Sequence, residues 1–244
     1  RQWAAVGASR FWLHRTFSHA WVTGEAQAMY AGYLGFARNR VNRGFYAADL
    51  DRFSPLAKQF LPLKTAKFPH RFLCVARYIP SKGHRYMVEA FAELCDAGQA
   101  KDWELWCIGA GDLHPLPQEH PRIKHLGFVQ ADEVWKFMER SGVFILPSLY
   151  EPWGVVVHEH AAAGFPLLLS DAVGARHRFL REGRNGQCFI AGDKESLKRT
   201  FRKVVATPDA ELLAMGQRSA ELAKDWGPAQ WAGVVMNMMR TPRG

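Results

Sequence analysis

From about Phe68 onward the chain alternates short apolar runs with longer stretches whose apolar residues recur at helical spacing. The runs predict strands at HRFLCVAR, WELWCIGAG, RIKHLGFV, GVFILPS, FPLLLSD and GQCFIAGD. The helical period predicts helices at GHRYMVEAFAELCDAG, at ADEVWKFMERS opened by its aspartate, at VVVHEHAAAG closed by glycine, and at DKESLKRTFRKVVA, with further helices to the carboxyl end. Short strands with almost no polar alternation belong to a sheet buried on both faces. The pattern therefore predicts a doubly wound, Rossmann-like α/β domain over residues 61–244. The first sixty residues have a different texture. RFWLHRTFSHAWVTG reads as a helix feeding a short strand and GEAQAMYAGYLGF as a helix, while RNRVNRGFYAADLDRFSPL runs through turn-forming residues to Pro55. Nothing here closes a core, so residues 1–60 read as the end of a truncated amino-terminal domain followed by an interdomain linker.

Composition narrows the class. The 244 residues are 48% hydrophobic with nine tryptophans, enough for one large domain with a real core. No uninterrupted apolar run approaches 18 residues, so no membrane span is predicted. The chain opens on Arg1 without a basic-then-apolar leader and reads as a fragment or processed product of a cytoplasmic protein. Cys74, Cys95, Cys107 and Cys188 lie far apart without a CxxC spacing, as buried free thiols in a reducing compartment would. The formal charge of +9 suits a phosphate-bearing partner. The basic residues are scattered without a dense run, which argues against a nucleic-acid module and leaves a peripheral contact with an anionic membrane open.

In a doubly wound sheet, ligands collect beyond the carboxyl ends of the strands, at helix amino termini. Three turns fall there. Arg77 and Lys82 bracket the turn YIPSKG before a helix, where free amides already favour an anion, and two cations make a diphosphate clamp or a pair of solvated charges. Gly109 and Gly111 in IGAGDL resemble the start of a dinucleotide fingerprint, but DLHPLPQEHP follows with three prolines and no third glycine, which leaves a close backbone approach to a bound ligand or a tight turn. The remaining turn is PSLYEPWGVVVHEHAAAG, where Glu151 lies in a loop and Glu159 in the second turn of a helix, on the face expected to pack on the sheet. Packing alone would prefer leucine at that position. A carboxylate there can accept two hydrogen bonds from a vicinal diol, or bond a neighbouring loop. The amides of residues 153–156 can hold phosphate or hydroxyl oxygens. His158 and His160 flank Glu159 but point elsewhere around the helix and carry no assignment.

The segment PSLYEPWGVVVHEHAAAGFPLLLSDAVGARHRFLREGRNG resembles the donor-binding segment of the retaining glycosyltransferases of the GT-B fold, group 1, with two glutamates separated by seven residues. The likeness runs from about Ala20 to the end. It takes in Arg77 with Lys82 and Gly83, the Gly109–Gly111 turn, the HLGFV strand, Glu151 with Glu159, and Arg184-Asn185-Gly186. It implies that Arg77 and Lys82 grip the donor diphosphate and that Glu159 binds the ribose hydroxyls. Glu151 would be the catalytic residue facing the donor sugar. The amides of Trp153, Gly154, Val155 and Val156 would meet sugar and phosphate, backbone around Phe128 and Val129 the base, and Gly109 and Gly111 would closely approach the bound donor. It further implies retention of anomeric configuration, a nucleotide-diphosphate sugar as donor, no cofactor or metal, and a sugar, lipid-linked or small-molecule acceptor held mostly by a missing amino-terminal domain. Asp49, Phe53 and Pro55 match the family's interdomain linker, so Asp49-Leu50-Asp51 is not read as a metal motif. Tyr46 and Ala47 replace the family's asparagine-glycine there, and His160 stands where alanine is usual. Two other classes compete: a non-catalytic nucleotide or phosphosugar binding module, and an NAD-dependent oxidoreductase, disfavoured by the incomplete glycine pattern.

Overall fold

The computed structural model describes residues 6–9, 12–13, 16–113 and 120–240. Residues before Asp49, together with those from Trp226 on, form one compact unit, and Asp49–Asp225 form the other. The division falls at 48/49 and 225/226.

In the smaller unit, β1 (Ala20–Val22) pairs in parallel with β2 (Val41–Arg43) across helix α1 (Glu25–Tyr33). The β2 strand lies within residues read from sequence as turn-forming. Much of the helix read over residues 10–17 lies outside the described residues. The last helix of the chain (Pro228–Arg240) joins this unit, with Trp231 against Trp21 at 4.9 Å and Trp226 against Phe45 at 4.4 Å.

The larger unit begins with α2 (Leu50–Ala66), which also runs through supposed linker. Two prolines hide it from a sequence reading, since each removes an N–H from the helical ladder. Pro55 and Pro62 are both exposed, where water can take the freed carbonyls, while Phe53, Phe60 and Lys64 form the buried stripe. Asp49 caps the helix, its carboxylate accepting from the Arg52 amide at 3.2 Å. Asp49-Leu50-Asp51 is thus a helix start.

The chain continues through β3 (Arg71–Val75), α3 (His84–Asp96), β4 (Glu104–Ile108), β5 (Ile123–His125), α4 (Trp135–Glu139), β6 (Val143–Leu146), α5 (Val155–Ala162), β7 (Leu167–Ser170), α6 (Arg176–Phe179), β8 (Gly186–Phe189), α7 (Lys194–Ala206) and α8 (Asp209–Ala223). The sheet order is β5-β4-β3-β6-β7-β8, every pairing parallel. This is the doubly wound order, with its switch point between β3 and β6. All of β6 and β7 is buried, as the unbroken apolar runs require. One face carries an aromatic cluster in which Phe72 meets Trp103 at 4.5 Å and Phe201 at 4.8 Å, so α3 and α7 pack over β3 and β4. On the other face α2, α5 and α8 pack on one another. The expected aspartate cap of α4 is absent: a turn precedes the helix, and Val134 stands at its amino end.

At the amino ends of the strands, His70 joins Asp102 at 2.6 Å and Asp209 at 2.9 Å, tying β3 to the amino terminus of α8. Partial burial opposes the charged ring, but the two carboxylates prevail and raise its pKa above the ordinary value. A group raised in the folded state contributes stability that is complete below the unfolded pKa and fades as pH rises through the folded one. His70→Gln should therefore cost under about 1 kcal/mol between about pH 5 and 6, with the difference from parent closing toward pH 9. Urea titrations across that range check it, and a difference that grows with pH would contradict it.

Candidate functional site

The loops after β3 and β6 diverge at the switch point, and the sequence-predicted residues stand on both sides of it. Lys82 closes a short 3-10 turn (Pro80–Lys82), and Gly83 at φ +70° starts α3. A side chain at Gly83 would place its Cβ 2.1 Å from the Pro147 carbonyl oxygen, so only glycine lets the two loops approach. The loops are then stitched together. The Ser81 carbonyl accepts from the Leu149 amide at 2.8 Å, and the Tyr86 hydroxyl donates to the Pro147 carbonyl at 2.5 Å.

Beyond this seam the Lys82 ammonium donates to the Glu151 carboxylate, with both side chains about 85% buried. The two residues, given separate roles from sequence, are an ion pair. Glu151 is fixed from its other side as well, since its carbonyl accepts from the Gly174 amide at 2.9 Å and its residue bridges to Val173. Arg77 stays exposed on the same edge, and its guanidinium makes no hydrogen bond or ion pair among the described residues.

Gly109 and Gly111 serve the protein rather than open space. Their Cβ positions would fall 2.0 Å from the Ala76 carbonyl oxygen and 2.4 Å from that of Tyr78. The Tyr78 amide donates to the Ala110 carbonyl, and the Gly109 amide to Gly127. Both glycines therefore permit a close main-chain approach between the β3 and β4 loops. Residues 114–119 of the proline-rich stretch lie outside the described residues. Through Gly127 the seam carries Phe128 and Val129 to the same edge, with Phe128 69% exposed.

Helix α5 starts at Gly154 and closes with Gly164 at φ +80°. There the Phe165 amide reaches back to the His160 carbonyl and the Gly164 amide to Ala161, the Schellman pattern. The first-turn amides at Gly154, Val155 and Val156 have no intrahelical acceptors and face the edge. Trp153 is buried and meets Phe179 edge-on, so its side chain anchors the turn.

The sheet-facing position of α5 belongs to His160, stacked on Phe144 at 3.9 Å, and not to Glu159 as expected. His158 stacks on Phe179 and bonds the Ala223 carbonyl at 3.0 Å. Both rings are buried, and burial lowers their pKa, His160 to about 3, so both are neutral packing groups. Glu159 is half-buried, and its carboxylate has no hydrogen bond or ion pair among the described residues. Burial raises its pKa, opposed by the charge of Arg52. Arg52 is a neighbour that sequence spacing does not reveal, because it lies more than a hundred residues away on α2. Asn185 of the Arg184-Asn185-Gly186 match is structural, bonding the Arg181 amide, the Phe179 carbonyl and the Ser219 hydroxyl.

Beneath the edge, Tyr78 stacks on His84 at 4.1 Å and its hydroxyl meets His125 Nδ1 at 2.7 Å. Burial lowers His84 to about 4 and pushes the Cys107 thiol up to about 12. The imidazole is then neutral and the thiol protonated and unreactive at neutral pH. All four cysteines are free, with Cys74 and Cys107 buried and Cys95 and Cys188 partly exposed. Among the described residues no group of three or more His, Cys, Asp or Glu is placed to hold a metal, and no helix is long and apolar enough to cross a membrane.

Residues 69–207 match the family described as Glycosyl transferases group 1. The chain belongs to this family. Among its curated relatives are an uncharacterized glycosyltransferase of Methanocaldococcus jannaschii, 31% identical over 47% of this chain and 30% of its own length, and the lipopolysaccharide core biosynthesis glycosyltransferase LpsE of Rhizobium meliloti, 29% identical over 55% and 39%. This group 1 chain thus spans well under two thirds of those relatives' length. In fold it is similar to Anabaena HepE, solved with UDP and glucose, at a TM-score of 0.75 and 16% identity over 97% of this chain and 67% of that one. The predicted GT-B-type α/β domain is therefore observed.

An unpaired carboxylate with a raised pKa destabilises the fold at neutral pH, because its charged form is worse solvated folded than unfolded. Glu159→Gln should raise unfolding stability at pH 7, with the gain vanishing below the unfolded carboxylate pKa of about 4.3. Urea melts at pH 7 and pH 4 test this, and a mutant less stable than parent at pH 7 would reveal a structural bond to Glu159.

Proposed function

We propose that this group 1 glycosyltransferase chain is the donor half of a retaining enzyme, binding a nucleotide-diphosphate sugar and transferring the sugar with retention of anomeric configuration. The observation that carries this reading is the company kept at one sheet edge. An unpartnered carboxylate, an unpaired guanidinium, open helix amides and a buried Lys82–Glu151 pair stand on the loops and the helix start that follow β3 and β6. A packing or binding role for Glu159 alone would not require the other three.

In this reading Arg77 and Lys82 neutralise the diphosphate, aided by the amino terminus of α3. Lys82 is then shared between phosphate and Glu151, which holds the lysine while it positions the carboxylate. Glu159 accepts both ribose hydroxyls in its ionised form, and the amides of Gly154, Val155 and Val156 meet sugar and phosphate oxygens. Main chain at Phe128 and Val129 borders the base. As charge develops on the sugar and on the departing diphosphate, Glu151 and the cations respectively face it, pre-set by the stitched loops. The donor sugar leaves the nucleotide for an acceptor hydroxyl, and residues of this chain require no cofactor for that step.

The βαβ piece before Asp49 and the final helix are, on this proposal, part of an amino-terminal domain that holds the acceptor. The 244-residue chain would bind donor without completing transfer, because the acceptor must also be held in position. Its place is cytoplasmic, and the net charge of +9 suits anionic or lipid-linked acceptors at a membrane surface.

Replacing Arg77 or Lys82 by alanine should weaken binding of a nucleoside diphosphate by about 1.5–3 kcal/mol and of the monophosphate by less. Calorimetric titration measures both, and unchanged diphosphate affinity would sink the clamp. In the full-length enzyme Glu159→Gln should chiefly raise the donor KM, whereas Glu151→Gln should chiefly lower kcat, because uniform binding and transition-state support leave different kinetic signatures. A 2′-deoxyribose donor separates the diol role from a structural one. Parent should lose affinity for it and the Glu159 variant much less, whereas an equal loss in both would remove the diol assignment.

A further inference from the structure

At the carboxyl end of the Glu159 helix, the packing of α2, α5 and α8 leaves a cavity of about 170 Å³. Its walls include Ala57, Leu61, Ala163, Leu213 and Ala220. Of the three lysines that line it, Lys64 is the buried one. Lys64 is 95% buried, its ammonium 3.7 Å from the centre of the Phe165 ring and 5.2 Å from that of Phe60. Among the described residues it has no hydrogen bond and no carboxylate within ion-pair distance. Two rings recover only part of the hydration a buried ammonium gives up.

The charged residues that line the cavity are Lys58, Lys64, Lys224 and Glu221. Lys58 lies on α2 with Lys64 and makes no ion pair among the described residues, while Lys224, just past the end of α8, is matched by Glu221 at 2.6 Å. Glu139 of α4 acts on Lys64 only through space. The unmatched charge is therefore positive, and the walls are largely apolar, with Ser54 and Gln217 as the uncharged polar side chains. The volume is several times the roughly 30 Å³ that a water occupies in the liquid, which leaves room for an anionic head with a short apolar body.

We propose that the α2–α5–α8 cavity is a binding site for a small monocarboxylate with an apolar tail, whose head pairs with the Lys64 ammonium between Phe60 and Phe165. Such a ligand supplies the partner that the fold withholds. Without it, burial lowers the Lys64 pKa to about 7, and pairing draws the proton back, so binding takes up a proton. A neutral carbonyl compound condensing with the amine would show the opposite dependence, since it consumes the unprotonated form.

Hexanoate and its neutral analogue hexanamide are the probes, titrated into the 244-residue chain and followed by thermal shift and by NMR of methyl groups lining the cavity. Hexanoate should bind saturably and hexanamide at least about tenfold more weakly. Above the free-amine pKa, hexanoate affinity should fall by about tenfold per pH unit. Lys64→Met fits the apolar surroundings and should fold while losing hexanoate binding. Ala220→Leu should fill the cavity and lose it with Lys64 intact. Lys58→Met should keep both the binding and its pH dependence. Absence of saturable hexanoate binding in parent, equal binding in Lys64→Met, or affinity that rises with pH would each overturn the proposal.

Discussion

The site depends on one constraint of the parallel sheet, the parting of the chain between β3 and β6. Helices leave these two strands toward opposite faces, so the loops beyond them open a crevice that no side chain of the sheet can fill. Every feature of the edge follows from managing that opening. Gly83 brings the two loops into main-chain contact, Ser81 and Tyr86 bond them, and the Lys82–Glu151 pair bridges them. Gly109 and Gly111 extend the same seam from β3 to β4 by letting the main chain pass close to Ala76 and Tyr78.

Once the loops are locked, the fold can keep charges in states that packing alone would not select. Glu159 remains unpartnered and half-buried, and Glu151 is held from both flanks. On the proposed function, groups fixed in place before a ligand binds need little reorganisation when charge develops. The cost is local stability, and it is met by the surrounding aromatic packing, where Phe72, Phe91 and Phe201 join β3 to α3 and α7.

The histidines illustrate how position overrides chemical type. His84, His158 and His160 are each stacked on an aromatic ring and buried, which keeps them neutral. His70, at the opposite end of the sheet and between two carboxylates, is driven toward its charged form. The same side chain is a flat apolar filler in one place and an ionic tie in another, according to whether water or a carboxylate can reach it.

The α/β alternation, the six strands of the main sheet and the placement of Lys82 and Glu151 in the loops beyond β3 and β6 were legible in the sequence, because buried parallel strands write continuous apolar runs and helices write a 3.6-residue period. The glutamate spacing and the glycine turns were legible for the same local reason. Helix α2 was not, since Pro55 and Pro62 carry a breaker signal whose penalty is relieved only where both face solvent. Nor were the Lys82–Glu151 pair, the approach of Arg52 to Glu159, the protein-facing role of Gly109 and Gly111, or the grouping of the last helix with residues before Asp49. Each of these joins positions brought together by strand order, and strand order is a global packing solution in which sequence distance carries no energy.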